Sequence, residues 1–227
     1  METIELDGVE ISIKKKKMKH MYLRVLPPDG RVLVTAPNFF SDEMIREFVF
    51  SKRCWILEQR KRFEGQKVFE KHRYVTGERF DLWGKEYELL VQESARPYQV
   101  VLSGERIVMQ TGKDSTTEQR EQLLNEWYRM QLKQAMPAVL QKCEKLTGLS
   151  VNEWRIKNMR TRWGTCNVAK KRIWLNLQLA KKSPECLEYV VVHELVHLLE
   201  RGHNARFYGY MDRFYPNWKE VRERLSD

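Results

Sequence analysis

"VVVHELVHLLERGHNARF", residues 190–207, holds three of the chain's five histidines, His193, His197 and His203, within eleven residues. Just upstream, "KKSPECLEY" (181–189) carries Ser183 and Pro184, a pair suited to the N-cap and first position of a helix. Gly202 is the expected C-terminal stop. Between them Val190, Val191, Val192, Leu195, Val196, Leu198 and Leu199 make a helix apolar on nearly every face, and such a helix is buried. Imidazoles and a carboxylate inside it are costly unless each has a partner.

Spacing supplies the partner. His193 and His197 stand one turn apart on one face, so both rings can reach a single ion. Glu194 is rotated by about 100° from His193, close enough to contact a water at that ion without ligating it. His203, brought back by the turn at Gly202, is the expected third ligand. Glu200 is excluded, because seven residues of straight helix rise about 10.5 Å while ligand bonds are about 2 Å. Three neutral nitrogens with an open fourth position describe a catalytic zinc, one per chain, and Glu194 is the expected general base. His20 and His72 lack such a context and read as surface residues.

Outward from this helix, "EWRIKNMRTRWGTCN" (153–167) and "RIWLNLQLA" (172–180) read as strands. In the second, Ile173, Leu175, Leu177 and Leu179 share one side, with Trp174, Asn176 and Gln178 on the other. A long helix is expected after 115, opened by a capping box from Ser115 to Glu118, ended by Gly148 and kinked or split at Pro137. Leu123, Trp127, Met130, Val139, Cys143 and Leu146 mark its apolar face. The first part is β-rich. "MYLRVLPPDGRVLVTA" (21–36) reads as a hairpin turning at Pro27–Gly30, and "ERFDLWGKEYELLVQE" (78–93) and "QVVLSGERIVM" (99–109) each turn at a glycine. "FFSDEMIREF" (39–48) opens a helix with Ser41 as N-cap and a Phe40–Ile45 staple, and a second short helix surrounds Trp55. The fold class is α+β, with a β-rich N-terminal half over 1–114 and a catalytic half over 115–227. No internal repeat stands out at a period of about 20 to 50 residues.

"RTRWGTCN", "RIWLNLQLA", "YVVVHELVHLLERGHNARF" and "YPNW" together resemble the YgjP-like zinc metallopeptidases, relatives of the WLM and SprT-like proteases in the zincin clan, and "APNFFSDEMIREFV" (36–49) also fits. The resemblance implies a minimal zincin fold, an HExxH helix beside a small sheet, with zinc on His193, His197 and His203 and Glu194 as base. The ligand spacing equals that of metzincins. That subclass is set aside because Glu200 holds their glycine position and Met211 follows too soon after His203 for a Met-turn. In zincins the strand beside the active helix often takes an extended peptide, and "MRTRWGTCN" (159–167) is the candidate edge, with Gly164 allowing close backbone approach. Arg160, Arg162, Trp163 and Gly164 are the expected substrate contacts. Cys166, Tyr208 and Tyr210 read as packing.

Composition bounds the setting. The start is acidic and alternating, without a secretory pattern, and no apolar run reaches the roughly 18 residues of a membrane span. Four cysteines with no CxxC pair disfavour a zinc ribbon or a disulfide framework, so a cytoplasmic setting is expected. The net charge of +10, densest at "KKKKMKH" (14–20), suits a protein or peptide substrate and also a nucleic acid or other polyanion. A hydrolase of phosphate esters or nucleotides, and a DNA-associated protein with a structural zinc, are the alternative functions.

Overall fold

The computed structural model describes residues 2–26, 30–64, 72–95 and 97–225. The chain divides into two compact units, Met1–His72 and Arg73–Asp227. In the first, β1 (Glu2–Leu6), β2 (Val9–Lys16), β3 (Tyr22–Leu26) and β4 (Arg31–Pro37) form a sheet of order β1-β2-β4-β3. β2 and β4 run parallel, and the outer pairs are antiparallel. Alternation buries Val9, Ile11 and Ile13 of β2 with Val32, Val34 and Ala36 of β4. Ile45 and Val49 of α1 (Asp42–Ser51) and Ile56 of α2 (Arg53–Glu64) complete that core, and Phe40 packs on it. Ser41 caps α1, its hydroxyl accepting from the Met44 amide at 3.3 Å. The β3–β4 hairpin is as expected, although Pro27, Pro28 and Asp29 of its turn lie outside the described residues.

The second unit opens on the same plan. β5 (Arg79–Leu82), β6 (Lys85–Glu93), β7 (Gln99–Ser103) and β8 (Arg106–Thr111) pair in the order β5-β6-β8-β7, again with a parallel central pair, and α3 (Thr117–Thr147) follows. Corresponding strands begin 75 to 77 residues apart, and α3 begins 75 residues after α1. The duplication is too long in period to register as a short repeat. The expected division at 114/115 falls inside this second unit, between β8 and α3. Leu124, Trp127, Tyr128 and Leu132 of α3 share one core with Phe80, Leu82, Leu89 and Ile107 of the sheet, and the Tyr128 hydroxyl donates to the Asp81 carbonyl at 2.7 Å.

Several local expectations are corrected. The capping box of α3 is Thr116 with Gln119, one residue beyond Ser115 and Glu118, and Ser115 instead accepts from Arg120. α3 runs through Pro137 as one helix of 31 residues. Its buried face is Leu124, Trp127, Tyr128, Leu132, Met136 and Cys143, while Met130 and Leu146 are exposed. The strand-like run 153–167 is two strands, β9 (Glu153–Lys157) and β10 (Gly164–Asn167), with β11 (Arg172–Asn176) between them in the sheet. β11 stops at Asn176. Leu177–Lys181 is a 3-10 turn, and Asn176 is buried where alternation placed it outside. α4 (Pro184–Val196), α5 (Ala205–Phe214) and α6 (Trp218–Arg224) follow. Pro184 opens α4 as expected, but Ser183 makes no side-chain cap bond and its hydroxyl faces the Cys186 sulfur. Among the described residues no helix is long and apolar enough to cross a membrane.

Candidate metal centre

α4 is buried along nearly its whole length, as its sequence requires, and it ends at Val196 instead of running to Gly202. Beyond it the backbone tightens: the Leu198 and Leu199 amides donate to the Leu195 and Val196 carbonyls, each at 2.9 Å. This turn brings the Glu200 carbonyl to 3.0 Å from His197 Nδ1. A carbonyl only accepts, so Nδ1 carries a proton and Nε2 is the nitrogen this contact leaves for a metal. Asn204 then caps α5, accepting from the Phe207 amide at 3.1 Å, and α5 sets the buried Phe207 ring 4.7 to 4.8 Å from all three histidine rings.

The three rings lie 4.9 Å from one another, centroid to centroid. One nitrogen from each falls within 4.8 Å of the others, and the Nε2 atoms of His193 and His203 are 2.9 Å apart. Burial, reinforced by the neighbouring His197 and His203, pushes His193 down to about 3, and burial lowers His203 as well. Both rings therefore stay neutral near pH 7 and keep ligand lone pairs. Glu200 stands apart from this cluster, its carboxylate facing the Gly202 amide and, at 4.0 Å, Arg206.

Glu194 is only 4% exposed, and among the described residues its Oε2 is a buried side-chain oxygen without a hydrogen-bond partner. Burial pushes its carboxyl up to about 8, against the opposing pull of Arg162. Gly164 explains how close the sheet comes. A Cβ there would lie 2.5 Å from Glu194 Oε1 and under 3 Å from its Cγ and Cδ. The glycine was expected to admit a substrate backbone, and in the structure its bare Cα makes room for this carboxylate. Three converging imidazole nitrogens beside an unpartnered buried carboxylate fit a divalent cation, whose charge would draw Glu194 back toward its ionised form.

A cleft of about 1250 Å³ opens over these residues. Arg162, Trp163 and Gly164 line it with the histidines and Glu194, whereas Arg160 does not. Among the described residues β10 is an edge strand, hydrogen-bonded to β11 on one side only, and all four of its residues line the cleft. Cys166 is among them, its thiol pushed up to about 11 by burial and by Glu194, so it remains protonated. Tyr208 stacks on Trp218 and Tyr210 on Phe214, as packing. The cleft also holds Tyr189, Arg201 and Arg222, which the sequence reading passed over. Tyr189 lies one helical turn before His193, a spacing that could have flagged it, with ring centroids 5.8 Å apart. Nothing in the sequence places Arg222 of α6 here.

A sequence profile of the YgjP-like metallopeptidase domain matches residues 19–227. The chain belongs to the YgjP-like family. The match spans most of the first compact unit and all of the second. Membership makes the chain a metallopeptidase by family, which implies a hydrolase that works with a metal ion. No curated protein matches the chain. Among solved structures it is similar to the metallopeptidase zymogen abylysin of Pyrococcus abyssi, at 20% identity over 39% of this chain and 90% of that one, TM-score 0.37. It is also similar to the zymogen jannalysin of Methanocaldococcus jannaschii, at 18% identity over 41% and 92%, TM-score 0.32.

Proposed function

We propose that the chain is a zinc-dependent peptidase in which His193, His197 and His203 hold the metal and Glu194 is the general base. The observation that carries this reading is the convergence of three imidazoles beside one buried, unpartnered carboxylate. Bound there, zinc supplies Lewis-acid chemistry, acidifying water and polarising a carbonyl. The remaining work falls to the chain's own groups. Glu194 takes a proton from the attacking water and passes it to the leaving amine nitrogen. Burial favours its protonated form and a neighbouring cation its ionised form, so the two opposing pulls poise it to run both transfers. The Glu200 carbonyl holds the His197 ring in the tautomer that leaves Nε2 unprotonated. The free edge of β10 offers main-chain groups to an extended substrate, and Trp163 and Tyr189 wall the cleft.

Metal analysis tests the ligand set. The purified chain should carry one zinc per molecule, His203→Ala should lose most of it, and Glu200→Ala should keep it. Full occupancy in His203→Ala would remove His203 from the site.

A further inference from the structure

We infer that the cleft selects acidic peptide segments through Arg162 and Arg201. The inference rests on the peptidase reading above and names the class of its substrate. Both arginines line the cleft, and among the described residues the one carboxylate in its lining is Glu194, which is buried and held for catalysis. The arginines come from two separate places: Arg162 precedes β10, and Arg201 follows α4 and its closing turn.

Arg162 is also held in place. Asn176, 4% exposed, donates from Nδ2 to the Arg162 carbonyl at 2.8 Å and the Met159 carbonyl at 2.9 Å, and its amide donates to the Trp163 carbonyl at 2.8 Å. This pins the backbone from which the Arg162 side chain projects. Guanidinium forks match carboxylates, so Asp or Glu near the scissile bond meets them. Phosphates match them too, but the same cleft carries the free edge of β10, whose donors and acceptors repeat at the spacing of an extended peptide. That edge favours an acidic peptide over a nucleic acid.

The test uses the zinc-loaded full chain carrying Glu194→Gln, so that binding is read without turnover. Labelled peptides that differ only in Asp, Ser or Lys at two positions are titrated by fluorescence anisotropy at low and high salt. The Asp peptide should bind roughly 10-fold more tightly than the Lys peptide at low salt, with the gap narrowing as salt screens the contacts. Adding Arg201→Glu should erase most of that preference, and Arg162→Gln part of it. Equal binding of the three peptides overturns the inference, as does a preference that survives both substitutions. So does an oligonucleotide that displaces the Asp peptide at lower concentration than any peptide does, since that would give the arginines to nucleic acid. Cleavage of the same peptides by the unsubstituted chain is read separately. Its absence overturns the peptidase reading, while the order of binding decides the charge inference either way.

Discussion

Glu194 sits where a carboxylate has few reasons to be, inside an apolar helix with one oxygen unpartnered and a glycine backbone against it. Gly164 is the residue that allows this. Its φ is not in the left-handed region, so the constraint is space and not backbone conformation. Gly164→Ala should therefore fold, at a cost of about 1–3 kcal/mol for overpacking, and displace the carboxylate. We expect zinc to be retained and kcat to fall by up to about 10²-fold, the effect of misplacing a reacting group by an ångström. An unchanged kcat in that variant would mean the carboxylate position is not critical. At this scale the pairing of His193 with His197 was legible because helical periodicity converts sequence spacing into a shared face, and His203 was legible from the turn that follows. Arg201 and Arg222 were not, because their place in the cleft depends on how separate helices pack.

At the scale of elements, the turn from β11 to the 3-10 segment is what sequence alternation misread. "RIWLNLQLA" alternates as a strand would, yet the strand ends at Asn176, whose side chain has work that an outward-facing strand residue could not do. Its Oδ1 accepts from the Met159 and Gln178 amides, both at 3.2 Å, while Nδ2 holds the Met159 and Arg162 carbonyls. Asn176→Ala leaves several of these groups buried without partners, at roughly 1–3 kcal/mol. The thermal midpoint should drop by roughly 2–4 °C per kcal/mol, and KM should rise as Arg162 and Trp163 loosen. Asn176→Asp, which accepts but cannot donate, should not restore either value. A midpoint and KM equal to the parent's in Asn176→Ala would show that the loop is held by other means. The Ser115 and Gly202 expectations failed for a related reason. Several residues at a helix end can serve as cap or stop, and the choice is made by packing and by the bonds of the next turn. Here the early end of α4 has a use, since the tightened turn is what carries the Glu200 carbonyl to His197.

For the whole molecule, the two compact units carry separate cores, one built on Ile11, Val32, Val34 and Ile45, the other joining α3, α4 and two sheets. All three histidines belong to the second. Metal that binds only the folded site stabilises by about 3–4 kcal/mol when free metal exceeds the dissociation constant by about 100- to 1,000-fold. Chelation should thus reduce amide-exchange protection in α4 and its neighbours and leave β2 and β4 of the first unit unchanged. Equal loss of protection in both units would contradict a metal confined to the second. The α+β class was readable from periodicity, whereas the recurrence of the four-stranded plan was not. Its copies share strand order, and the expected boundary at 114/115 cut the second copy between β8 and α3.

Whether this molecule is an enzyme or a fold stapled by a metal turns on Glu194→Gln. Glutamine keeps the shape of the side chain but cannot take a proton from water at neutral pH. Zinc content and thermal midpoint should match the parent, while hydrolysis of a peptide that the parent cleaves should fall by roughly 10²- to 10⁴-fold. Turnover at the parent's rate with full zinc would contradict the assignment of Glu194 as the base.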